Sequence, residues 1–177
     1  MRVLDLFSGI GGFSLGLQRA GMQTVAFCEI DPFCRRVLEK RFPGVPIFDD
    51  IRTLTKRSLQ EAGVTSDAEP IDLICGGFPC QPFSVAGNQR GDQDDRYLWP
   101  EMLRVISEVR PTWIIGENVP GIINMALDNV LSDLENLSYA CQTFNIPACA
   151  VDAPHQRKRV WIVAHAGGDG LREPGVC

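Results

Sequence analysis

Short apolar runs alternate with helix-like stretches along most of the chain, and this alternation constrains the fold more than any other feature. Runs suited to buried strands lie at Val3–Leu6, Thr24–Cys28, Ile71–Cys75, Trp113–Gly116, Ala140–Ile146 and Val160–Ala164, with a weaker one at Val45–Phe48. Between them the pattern predicts helices at Gly12–Ala20, Pro32–Phe42, Thr53–Ala62, Leu98–Val109 and Ala126–Leu137. Gly21, Gly44 and Gly63 follow three of these as stops, and Asp31-Pro32 reads as a cap followed by a first-turn proline. Such alternation predicts a three-layer α/β/α domain around a mostly parallel sheet. The last two strands have no helix between them and should pair antiparallel at one edge. One domain is expected over residues 1–165, with 166–177 as a glycine-rich loop or frayed tail.

Length and composition exclude several classes. A chain of 177 residues with 45% hydrophobic and 22% charged residues is of ordinary globular type, with size for one core. Its apolar runs are too short and too often interrupted to span a bilayer. The N-terminus enters a strand directly, which leaves no room for a signal peptide. Seven cysteines without framework spacing suit reduced thiols, hence a cytoplasmic setting. With no Cys-x-x-Cys pair and only His155 and His165, no metal site is expected. A net charge of −5 argues on average against nucleic acid, yet Arg157-Lys158-Arg159 is a local basic cluster beside a predicted strand.

In sheets of this kind the strands' carboxyl ends carry the chemistry. After the first strand comes Asp5-Leu6-Phe7-Ser8-Gly9-Ile10-Gly11-Gly12, a glycine-rich turn opening a helix. Ser14 stands where the dinucleotide fingerprint needs a third small residue, so the turn is not that motif. Glu29 follows the second strand at the place where an acid grips ribose hydroxyls, and Asp49-Asp50-Ile51 follows the weak third strand. Taken singly these are a tight turn and helix caps; together they suggest a nucleoside cofactor. The fourth strand leads into Gly76-Gly77-Phe78-Pro79-Cys80-Gln81-Pro82-Phe83-Ser84, where prolines stiffen the backbone around Cys80. Most cysteines are small buried hydrophobes, and Cys28, Cys34, Cys75, Cys141 and Cys149 read that way. Cys80, held at a strand's end, is instead placed as a nucleophile. Glu117, at the end of the fifth strand, brings a carboxylate to the same edge.

Four of these segments, in this order, resemble the ordered motifs of DNA cytosine-5 methyltransferases: Asp5–Gly12, Gly77–Ser84, Glu117-Asn118-Val119 and Gln156-Arg157-Lys158-Arg159. The resemblance extends from Val3 to Ala164, and the proline-cysteine-glutamine core is its most specific part. It implies a Rossmann-like methyltransferase fold that uses S-adenosylmethionine and releases S-adenosylhomocysteine. Phe7, Gly9, Ile10, Gly11 and Gly12 would lie against the cofactor, with Glu29 and Ile30 at the ribose. Asp50 and Ile51 would meet the adenine, and Pro79 the methyl-donor end. Cys80 would add to cytosine C6, so that C5 can take the methyl group, while protonated Glu117 donates to N3. Arg157 and Arg159 would hold the base carbonyl, a phosphate, or Glu117 itself, with the stronger catalytic claim at Arg159.

The base must leave the duplex for this chemistry. Residues 81–96 resemble the loop that closes over it, with Gly87 and Gly91 as hinges. Gln81, Ser84, Gln89, Arg90 and Asn118 are expected at the double-stranded DNA. Complete family members continue into a target-recognition region and a return motif that this chain lacks. The expectation is therefore an enzyme of restriction-modification or phage DNA protection, alone or completed by a second chain. The alternatives are an inactive remnant that still binds S-adenosylmethionine and, against the motifs, a thiol-bearing nicotinamide oxidoreductase. Surface left open by the missing part should favour self-association.

Overall fold

The computed structural model describes residues 1–79 and 97–167. Seven strands form one sheet: β1 (Arg2–Leu6), β2 (Gln23–Cys28), β3 (Ile47–Phe48), β4 (Leu73–Gly76), β5 (Trp113–Asn118), β6 (Tyr139–Ile146) and β7 (Arg159–Ala166). Their spatial order is β3-β2-β1-β4-β5-β7-β6. The first five are parallel to one another, and β7 runs antiparallel between β5 and β6. The antiparallel edge expected for the last two strands is therefore present, with β7 inserted beside β5. Ala166, expected to open the tail, is instead the last residue of β7 and pairs with Tyr139. Residues 168–177, Cys177 among them, lie outside the described residues.

The helices are α1 (Gly12–Arg19), α2 (Pro32–Arg41), α3 (Lys56–Glu61), α4 (Trp99–Val109), α5 (Ile122–Met125) and α6 (Leu127–Asn136). Their ends have local causes. Asp31 Oδ1 accepts from the backbone of Phe33 (2.7 Å) and Cys34 (3.1 Å), and Pro32 supplies a first-turn residue without N–H. Gly21, Gly44 and Gly63 all have positive φ, as stops after helices require. Helix α3 starts later than the apolar pattern suggests, because Thr55 and Ser58 form a reciprocal capping box. The short α5 has too few residues for a periodic signal and was not visible in the sequence.

Alternation along the strands sends side chains to two cores. Leu4, Leu6, Ile74, Ile114 and Ile162 meet the buried faces of α4 and α6 on one side. Val3, Leu73 and Cys75 meet α1 on the other, through Phe13 and Leu17. Coverage of this second face is unequal. Among the described residues no helix lies over β7 and β6 there, although Phe13 of α1 reaches Trp161 edge-on at a centroid distance of 5.4 Å. Phe144 and Ile146 stand exposed at the end of β6 in consequence.

Candidate functional site

Every described residue that the motifs singled out comes to the carboxyl edge of the parallel strands or to the β7 end beside it. The glycine turn leaves β1 through three positive φ angles, Phe7 at 53°, Gly9 at 55° and Gly11 at 86°. Two of them favour glycine, and at Gly11 an added Cβ would lie 2.7 Å from Phe42 Cε2, so the ring would have to move. Gly12 opens α1, while Ile10 and Ile30 are exposed. Glu29 is buried, and its carboxylate ties the turn to β2: Oε2 accepts from Gly9 N at 2.7 Å and Oε1 from Asp31 N at 2.8 Å. Each oxygen keeps a lone pair, which is the donor-seeking chemistry a ribose diol requires. Asp50 accepts from the backbone and guanidinium of Arg52 at 3.0 Å, and the backbone bond foremost holds its carboxyl below the usual range. Ile51 is buried next to it.

Beneath the turn lies a polar cluster that the sequence patterns did not reveal. Asp5 is completely buried, and its Oδ2 accepts from Ser14 Oγ at 2.6 Å. Ser14 Oγ in turn accepts from Thr24 Oγ1 at 2.8 Å. Asp5 Oδ1 has no nitrogen or oxygen partner, and Cys75 stands opposite across the β1–β4 ladder. Burial pushes the Asp5 carboxyl up to about 7. Ser14, which breaks the dinucleotide pattern, is thus the link between β1, α1 and β2. A serine inside an amphipathic helix gives no sign of its partner in sequence.

Glu117 and Arg159 form the second half of the site. In the antiparallel β5–β7 ladder Glu117 faces Trp161, so Arg159, two residues from Trp161, shares its face of the sheet on the diagonal. The guanidinium Nε lies 2.6 Å from Glu117 Oε1, with both side chains about a quarter exposed (23% and 24%). Gly77 makes room for the acid: a Cβ there would sit 3.0 Å from Glu117 Oε2. The adjacent Asn118 points to the opposite face and is buried. Its Nδ2 donates to the Phe78 carbonyl at 2.8 Å, and its Oδ1 accepts from Val119 N at 2.9 Å. The Phe78 ring packs on Trp99 at 4.9 Å, so the turn before exposed Pro79 is held at both backbone and side chain. Arg157 is exposed at φ 24°, preceding β7. Cys80, Gln81, Ser84, Gln89 and Arg90, with the proposed hinges Gly87 and Gly91, lie outside the described residues.

A groove of about 580 Å³ opens from this second half, between α1 and the uncovered face of β5, β7 and β6. Glu117, Arg157 and Arg159 stand at one part of its lining, and Phe13, Trp161 and Phe144 make much of the rest apolar. It is separate from the glycine turn, Glu29 and Asp50, since apart from Gly12 none of those residues lines it. Among the described residues no helix is long and apolar enough to cross a membrane, and no cluster of side chains could hold a metal ion.

A sequence model of C-5 cytosine-specific DNA methylases matches residues 1–173. The chain is 38% identical over 173 residues to the type II methyltransferase M2.BsuMI of Bacillus subtilis, covering 93% of this chain and 42% of that protein. It is 34% identical over 187 residues to M.AquIA of Picosynechococcus, covering 98% of this chain and 75% of that one. The structure of the Dnmt2 methyltransferase of S. pombe resembles it with a TM-score of 0.77 at 27% identity, over 97% of this chain and 52% of that chain. The chain therefore spans less than half the length of the Bacillus relative and about half of the S. pombe protein.

Proposed function

The chain belongs to the C-5 cytosine-specific DNA methylase family, and from that membership we propose that it supplies the catalytic part of a DNA methyltransferase acting through Cys80. The family's cofactor is S-adenosylmethionine, and the residues present fit it. Glu29 keeps acceptors free beside a turn that favours glycine, and Asp50 is held as a carboxylate beside buried Ile51. Phe7, Gly9 and Gly11 would meet the cofactor's body, Glu29 its ribose, and Asp50 with Ile51 its adenine. When bound, the cofactor presents an electrophilic methyl group on sulfur and leaves as S-adenosylhomocysteine.

The chain's own residues prepare cytosine to take that methyl group. The Cys80 thiolate adds to C6 of a base turned out of the duplex, forming a carbon–sulfur bond and making C5 nucleophilic. Glu117 carries a proton to N3 and so neutralises the charge developing on the ring. Before the base enters, Glu117 is engaged by Arg159. Entry of the base redirects Arg159 to its carbonyl oxygen, which releases Glu117 to carry that proton. After C5 gains the methyl group it loses its proton, the sulfur leaves C6, and the double bond returns. Pro79 would lie at the methyl-donor side, and Gln81, Ser84, Gln89 and Arg90, outside the described residues, would contact the DNA. Arg157, exposed beside the pair, serves a phosphate in this reading.

The observation that carries the proposal is the Glu117–Arg159 contact of 2.6 Å, next to the held Phe78 turn two residues before Cys80. The test is transfer of labelled methyl groups from S-adenosylmethionine to duplex DNA, with bisulfite sequencing to locate the product. Label at cytosine C5 supports the proposal, and label elsewhere or on protein alone contradicts it.

Residues 1–165 act as the catalytic domain in this reading, within a restriction-modification or phage-protection enzyme of the cytoplasm. The uncovered apolar face of β5, β7 and β6 is where the remainder of the enzyme, in the same or a second chain, would pack. Left open, it promotes self-association, so light scattering should show dimers or larger species. A clean monomer over a wide concentration range would contradict that part.

A further inference from the structure

The Asp50–Ile51 loop is fastened from outside by a residue that no motif marks. Arg104 lies on α4, whose Met102, Val105 and Ile106 are fully buried, so its backbone is a fixed platform. The guanidinium uses three nitrogens on three partners. Nε meets Glu101 Oε2 at 2.9 Å, Nη1 meets Glu108 Oε1 at 2.7 Å, and Nη2 donates to the Ile51 carbonyl at 2.8 Å. The first two are ordinary i,i+3 and i,i+4 neighbours along a helix. The third leaves the helix and reaches a backbone 53 positions away. Glu108 reinforces the same junction, because its Oε2 accepts from Lys56 N at 2.9 Å, at the start of α3.

The Ile51–Arg52 peptide group is consequently gripped at both ends. Arg104 binds its carbonyl, and its N–H donates to Asp50 Oδ1 at 3.0 Å. Rotating that peptide would break both bonds and turn the Asp50 carboxylate. A planar guanidinium restrained by two carboxylates can hold one orientation of the peptide; an ammonium, as a point charge on a flexible stem, cannot.

We propose that Arg104 is a positioning residue for the cofactor's adenine, aiming the Asp50 carboxylate at the adenine amino group through the Ile51–Arg52 peptide. The inference rests on the reading of Asp50 and Ile51 as adenine contacts. It assigns Arg104 a role in cofactor selectivity as well as in joining α4 to the loop.

Calorimetric titration with S-adenosylhomocysteine and with its inosine counterpart, where oxygen replaces the amino group, tests this without turnover. The wild-type chain should prefer the adenosine form. Arg104→Met and Arg104→Lys should each weaken binding of the adenosine form about tenfold, leave the inosine form nearly unchanged, and so erase most of the preference. Glu108→Gln, which keeps an acceptor for Lys56 N, should give a smaller change in the same direction and serves if both Arg104 variants misfold. An unchanged preference in a folded variant would overturn the proposal, as would equal loss for both ligands. Wild-type chain that binds neither ligand would fail the cofactor reading itself. Binding without preference would fail the adenine assignment, and the inference with it.

Discussion

Asn118 Nδ2 donates to the Phe78 carbonyl over 2.8 Å, joining the strand that carries Glu117 to the turn that runs into Cys80. The carboxamide is buried at 6% exposure and spends its oxygen on Val119 N. It was expected at the DNA; in the structure it joins the end of β5 to Phe78, and in the proposed reaction that brace would steady the acid's strand.

Replacing Asn118 with Ala leaves a buried carbonyl without a donor, at a cost of about 1–3 kcal/mol in urea unfolding. Asn118→Asp should cost more, because a carboxylate faces the carbonyl with no proton to give. If the side chain sets catalytic distance, the Ala variant loses methylation rate at saturating DNA. A variant whose only change is weaker DNA binding would return Asn118 to the interface.

Gly77 sits under Glu117, and the 3.0 Å left for a Cβ means Gly77→Ala must push the carboxylate aside by a few tenths of an ångström. Folding should change little, because the side chain displaced is partly exposed. Methyl transfer should fall by up to about 10²-fold, as displacements of catalytic groups do. A fully active Gly77→Ala enzyme would show that Glu117 need not hold this place.

The strand pattern was legible because it records burial, and burial alternates with the backbone. Glu29, Asp50, Glu117 and Arg159 were legible because strand ends and motif order mark them. Asp5, Ser14 and Arg104 were not, since their meaning lies in partners 9 and 53 positions away, brought together only by folding. The open β7–β6 face was invisible for the converse reason: Phe144 and Trp161 look like core residues, yet among the described residues only the edge of Phe13 reaches Trp161 and Phe144 stays exposed. Which partner Arg159 takes in the folded chain required the antiparallel register, which puts it diagonal to Glu117.

Asp5 gives the fold a pH dependence opposite to that of a paired carboxylate. Its folded value of about 7 lies above the ordinary 3.8, so the folded chain holds a proton that the unfolded chain releases. Its stabilising contribution is full below about 3.8 and is lost as pH rises to about 7, beyond which it is flat. The difference in unfolding free energy between wild type and Asp5→Asn should therefore shift against wild type across that window. A difference that stays constant from pH 4 to 8 would show that Asp5 is ionised in the folded chain.

Arg159→Ala should leave the fold nearly as stable, since a pair a quarter exposed contributes about 0–1 kcal/mol. Methylation should nonetheless fall about 10²–10³-fold, the usual cost of removing a donor aimed at developing charge. Glu117→Gln should lose at least as much, and the double variant less than the sum, because the two act as a unit. Independent, additive losses in single-turnover rates would separate their roles.

Covalent trapping decides whether Cys80 is the nucleophile. The chain is incubated with S-adenosylmethionine and duplex DNA carrying 5-fluorocytosine, whose fluorine blocks the final loss from C5. A protein–DNA adduct that maps to Cys80 and is absent from Cys80→Ser is expected. An adduct on another residue, or methyl transfer that persists in Cys80→Ser, would contradict it.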